Sequence, residues 1–157
     1  MDHVPTSSAS FSASVAYSNL LIVTGGEMTG GERTGAVDIL DIDTLQWISV
    51  SPLPEATANA SIVVINDTVY VLAGNLHQKD EPLDYSRSAY SCFLSKLVES
   101  STESGDVWNK LPDMPVTATT ASIMSGSLVI LGGLVPGKKE EPLKSIYSYL
   151  PDSKKYS

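Results

Sequence analysis

The sequence predicts an all-β chain built from three successive four-stranded antiparallel units. Three observations lead there. Apolar runs closing in small residues recur as LLIVTGG (20–26), VYVLAG (69–74) and LVILGG (128–133). Each closing glycine follows a proline by a similar interval: Pro5, Pro54 and Pro115 stand 21, 20 and 18 residues before Gly26, Gly74 and Gly133. Each is followed by an aromatic, Trp47, Trp108 or Tyr156, and both tryptophans precede the next unit's proline by seven residues. Landmarks recurring in one order at a period near 50 mark a repeat architecture, in which each unit covers its neighbour.

Within a unit the elements follow in order. A short apolar stretch opens it (SASVAYS, ASIVVIN or ASIMSGS), and a turn signal follows at Ser18-Asn19, Asn66-Asp67 or Ser125-Gly126. Ser, Asn, Asp and Gly there favour a tight hairpin. The run ending in glycine forms the second strand; its four or five consecutive Val, Ile, Leu or Tyr residues predict burial on both faces. Third and fourth strands are marked by the ungapped match of VDILDIDTLQW (37–47) with IYSYLPDSKKY (146–156), and by AYSCFL (89–94) in the second unit. The loops KDEPLDYSRS (79–88) and KKEEPLKSIY (138–147) share an acidic-Pro-Leu core. The second unit is stretched by an insert at 95–106. Its Ser, Thr and Glu content predicts a mobile tip, and Leu94, Leu97 and Val98 at helical spacing predict one turn of helix, a candidate partner epitope. Units are expected at 5–53, 54–114 and 115–157.

Composition bounds the function. The chain has 157 residues, 42% hydrophobic and 18% charged, a globular balance. Ten Lys and Arg against 18 Asp and Glu give a formal charge of −8, a field that repels nucleic acid and anionic membranes, so neither is expected as a partner. One cysteine excludes an internal disulfide framework and two histidines leave little for a metal centre. No apolar run approaches the roughly 18 to 20 residues that span a bilayer. MDHVPTSSASFSAS has neither the basic start nor the apolar centre of a secretory signal. The expectation is a soluble, cytoplasmic protein, in which the sequons at Asn59 and Asn66 carry no meaning.

A unit of about 50 residues with four strands, a diglycine closing the second and an aromatic on the fourth resembles the kelch repeat. The residues carrying the resemblance are Gly25-Gly26, Ala73-Gly74 and Gly132-Gly133, with Trp47, Trp108 and Tyr156. The pattern is departed from at Ala73, at Leu40 (a position where Tyr149 keeps the expected tyrosine) and at Tyr156, which replaces a tryptophan. The resemblance implies blades of a β-propeller stacked around a channel, with glycines for close approach and a large ring buried between blades. Propellers close with about four to eight blades, so about three imply an incomplete propeller, the fragment of a larger one.

By the same resemblance, function sits where the second-to-third loops (27–35, 75–87 and 134–144) and the fourth-to-first joins (51–60 and 112–121) share one end. Candidate partner-binding residues there are Glu27, Arg33, His77, Asp80, Tyr85, Arg87, Lys138 and Lys139. The expected function is non-catalytic protein or peptide binding, with no cofactor and no metal. The arginines with which kelch adaptors hold acidic peptides are absent from the joins, where Ala58, Asn59 and 119–121 stand instead. The alternative is part of a propeller enzyme (an oxidase, epimerase or lyase) whose site needs further blades. A copper centre of the kind in galactose oxidase, whose central domain the architecture resembles, would have only His3 and His77 to draw on. Cys92, in the third strand, is expected to be a buried, inert thiol.

Overall fold

The computed structural model describes residues 9–76, 85–103, 106–117, 120–135, 144–151 and 154–157. Three four-stranded antiparallel sheets are present, as expected, and they do not close into a ring. The first consists of β1 (Ala13–Tyr17), β2 (Leu20–Thr24), β3 (Val37–Asp41) and β4 (Gln46–Val50). The second consists of β5 (Ser61–Ile65), β6 (Thr68–Leu72), β7 (Ala89–Phe93) and β8 (Asn109–Lys110), with a short helix α1 (Leu94–Val98) directly after β7. The third consists of β9 (Thr120–Met124), β10 (Ser127–Leu131), β11 (Ile146–Leu150) and β12 (Lys155–Tyr156). Strand order within each sheet follows the sequence, and the innermost strands β1, β5 and β9 lie side by side.

The first-to-second turns are tight because their residues accept a left-handed backbone. Asn66 and Asp67 have φ of 47° and 56°, and Ser125 and Gly126 have 50° and 74°. Positive φ at both central residues matches the right-handed twist of the paired strands. Gly25 and Gly132 repeat this use of the left-handed region at φ 66° and 67°, whereas Ala73 stays out of it. The second unit's departure from diglycine thus goes with a different local backbone.

Alternation along each strand divides the apolar side chains between two cores. Ile22, Val37, Ile39 and Val50 of the first sheet meet Ile62, Val64, Val69, Val71 and Cys92 of the second. Val63, Ile65, Tyr70 and Leu72, on the opposite face of the second sheet, meet Leu128, Ile130 and Tyr149 of the third. Continuous burial in the second strands is realised fully only in β6, because the second sheet alone has a neighbour on both sides; β2 and β10 are partly exposed. On the third sheet, Met124, Ile146 and Leu150 are exposed. They hold the register positions of Ile65, Ala89 and Phe93, which the second sheet turns toward the third.

The insert behaves differently from its composition. The helical turn forms, but Leu97 is fully buried in the core between the first two sheets, with Leu94 and Val98 packed against it. The Ser100 hydroxyl accepts a hydrogen bond from the Ser51 amide at 2.9 Å, tying the end of the turn to the first sheet. Leu94, Leu97 and Val98 therefore form an internal plug rather than a partner epitope; their helical spacing dictates the conformation, and only the neighbouring sheet dictates the destination.

Candidate functional site

The end of the sheets that carries the second-to-third loops is braced by a small ladder repeated in each unit. Glu27 bridges to Ser10 on one side and Arg33 on the other; Asn75 likewise bridges to Ala58 and Tyr85, and Leu134 bridges to Thr117. Each loop is thereby tied to the join that enters its own sheet. Glu27 and Asn75 hold equivalent places, as do Arg33 and Tyr85. Paired backbone at these points fixes loop positions that sequence composition alone would leave open.

Glu27 and Arg33 form an ion pair, and the Arg33 side chain is only 5% exposed. Its terminal nitrogen also donates to the Gly31 carbonyl at 3.3 Å, while its Nε is buried with no hydrogen-bond partner among the described residues. The Glu27 carboxylate is the more accessible member of the pair. Arg87 is exposed, yet its Nε donates to the Met114 carbonyl at 2.6 Å, which fastens the second unit to the start of the third. Beside it, the Ser86 hydroxyl donates to the Glu55 carboxylate at 2.6 Å. Tyr85 is half-buried on its ladder. His77, Asp80, Lys138 and Lys139 lie outside the described residues. Sequence reasoning missed Met28 and Glu32, both exposed at the tip of the first loop; their signal was their position flanking Gly30-Gly31.

The sheets are joined at their outer edge by one contact used twice. The Trp108 indole N–H donates to the Ser51 carbonyl at 3.2 Å, and the Tyr156 hydroxyl donates to the Pro112 carbonyl at 3.1 Å. Ser51 and Pro112 each stand four residues past the previous unit's tryptophan, so the two bonds are repeat-equivalent. Tyr156 also packs on Tyr149, with ring centroids 5.1 Å apart, and Tyr149 meets Tyr70 edge-on at 6.3 Å. Burial pushes both the Tyr156 and the Tyr149 phenols up from their ordinary range, which keeps both neutral and Tyr156 a donor. Trp47 occupies the equivalent position on β4 and is half-buried, on the face of the first sheet turned away from the second.

At the opposite end from the loops, a cleft of about 930 Å³ opens between the second and third sheets, bordered by Ile65, Tyr70, Phe93, Leu111 and Tyr149. Among the described residues no group of three or more His, Cys, Asp or Glu could hold a metal ion, and no helix is long and apolar enough to cross a membrane. Cys92 is buried, and its thiol lies 3.3 Å from the Phe93 carbonyl. Burial pushes its pKa up to about 11, against a smaller opposing effect of Lys96. The thiol is therefore protonated at neutral pH and a poor nucleophile. Ellman's reagent at pH 8 is expected to detect no thiol in the native chain and one per chain in denaturant. Because ionisation is harder in the folded state, the thiol's contribution to stability is complete below its ordinary pKa near 9. It is lost as pH rises from there through about 11.

No protein-family model matches the chain. Beta-scruin of Limulus polyphemus is 28% identical over 137 residues, covering 80% of this chain and 13% of that protein. The kelch repeat and BTB domain-containing protein 2 of cowpox virus (strain GRI-90 / Grishak) is 24% identical over 123 residues, covering 77% of this chain and 20% of its own length. This chain thus spans a small part of either relative. The solved structure of YjhT superposes with a TM-score of 0.73 at 17% identity, over 98% of this chain and 46% of that one, a likeness of fold. With glycine-closed second strands and outer aromatics bonded to the preceding unit, the three sheets are blades of a kelch-type β-propeller, and the chain is similar in sequence to kelch-repeat proteins.

Proposed function

We propose that the chain is a non-catalytic protein-interaction module that holds a protein or peptide partner at the end carrying its second-to-third loops. The observation that supports it best is the repeated ladder Ser10–Glu27–Arg33 and Ala58–Asn75–Tyr85, which holds successive loops in register at one end. A rigid frame presenting exposed loop tips suits recognition, since little ordering entropy is left to lose on binding. Met28 and Glu32 at the first loop tip, Glu27 on the first ladder and Tyr85 on the second offer an apolar, acidic and aromatic mixture at this end. One relative is named for its kelch repeats, the repeat type on which this reading rests, and the reading needs no cofactor.

Selection of a displayed peptide library against the whole chain tests the reading. Enriched peptides are expected to lose affinity at least about tenfold, or about 1.4 kcal/mol, in a Met28→Ala, Glu32→Arg, Tyr85→Ala variant. They should keep it when Lys154, at the other end, becomes Glu. Absence of enrichment, or binders indifferent to the loop substitutions, would overturn the assignment.

A further inference from the structure

The cleft between the second and third blades has a counterpart between the first and second that is already filled. There, α1 follows β7 and buries Leu97 among side chains of both blades. Among the described residues the third blade has no such helix: β11 ends at Leu150 and β12 begins at Lys155. The repeat-equivalent space therefore stands open, with Phe93 55% exposed at its mouth and Tyr70 and Tyr149 at its back. Phe93 holds the register position of Asp41 in the first blade, so the open cleft presents an aromatic ring where the first blade has a carboxylate.

Charge narrows the occupant. The described lining includes Lys110 and Lys154 and no acidic residue, in a chain whose formal charge is −8; just outside it Asp113 lies 3.7 Å from Lys110, a loose and exposed pair that leaves the ammonium open to a second carboxylate. Two lysines at the edge of an aromatic cleft, only one of them paired among the described residues, make it less negative than the rest of an acidic molecule and favour an acidic ligand there. We infer that this cleft receives a short amphipathic acidic helix of a partner protein, placed as α1 is placed between the preceding blades. Its apolar side chain enters against Phe93 and Tyr70, and its carboxylates face Lys110 and Lys154. A volume of about 930 Å³ falls in the range of well-formed ligand sites, and an apolar helix face laid in a groove is a recurrent mode of recognition. This site is distinct from the loop end and does not depend on binding there.

The probe is a fluorescein-labelled peptide with the sequence of residues 93–100 carrying Lys96→Glu, so that the α1 pattern is kept and its charge made acidic. Anisotropy titration against the whole chain is expected to saturate. Affinity should fall at least about tenfold with Phe93→Asp, and by a similar factor with Lys110→Glu combined with Lys154→Glu. These residues are exposed, and circular dichroism should show all variants folded. Glu32→Arg at the loop end should leave binding unchanged. Three results would each overturn the inference: no saturable binding, equal affinity in the Phe93 and lysine variants, or equal affinity for the unaltered sequence with its Lys96.

Discussion

Replacing Trp108 with alanine is expected to destabilise the chain by about 3 to 5 kcal/mol, the range for deleting a large buried aromatic. The ring is 4% exposed, packed in the core shared by the first two blades, and its N–H is bonded to Ser51 across the joint. Deletion opens a cavity that both blades line, and it leaves the buried Ser51 carbonyl without that donor. Trp108→Phe separates the two effects. Much of the ring remains, so the loss should shrink to about 1 to 3 kcal/mol, the scale of one unsatisfied buried acceptor. Trp47→Ala supplies the contrast, because the equivalent ring on the first blade is only half-buried; about 1 kcal/mol or less is expected. Urea unfolding monitored by circular dichroism measures all three. Equal losses at Trp108 and Trp47 would mean that the second blade is not anchored on the first through this side chain.

That contrast shows what the sequence carries and what it does not. The period of glycines and aromatics identifies three equivalent units, because backbone demands such as the left-handed turn at Gly25 recur with the repeat. Burial does not follow from equivalence. Trp47 and Trp108 hold the same place in their blades, yet only Trp108 has a described blade on its outer face. LSKLVES announces a helical turn through its own spacing, but the burial of Leu97 depends on Val50 and Leu53, more than forty residues earlier in the chain. The loop end is legible as a location and less so as chemistry. Arg33 reads as an anchor for a partner, and it is occupied by Glu27 through a backbone bridge that composition cannot reveal. Arg87 is similarly engaged with the Met114 carbonyl.

Gly25→Ala should be the second severe substitution, at about 2 to 5 kcal/mol. Two costs combine. The residue has φ of 66°, where an L side chain is unfavourable by about 1 to 2 kcal/mol. A Cβ built there would also press on the Thr57 carbonyl oxygen, well inside contact distance, adding an overpacking cost of about 1 to 3 kcal/mol. Thr57 cannot move aside cheaply, because it links the closing glycines of two units. Its carbonyl accepts from the Gly26 amide at 2.8 Å, its hydroxyl accepts from the Gly74 amide at 2.8 Å, and it is fully buried. Gly126 isolates the conformational part: its φ is 74°, but no atom lies within 4 Å of the place an alanine methyl would take. Gly126→Ala should therefore cost only about 1 to 2 kcal/mol. If the two alanine substitutions destabilise equally, the first blade's diglycine serves its turn alone. A clearly larger loss at Gly25 assigns the difference to the close approach of one blade's second strand to the segment that leads into the next.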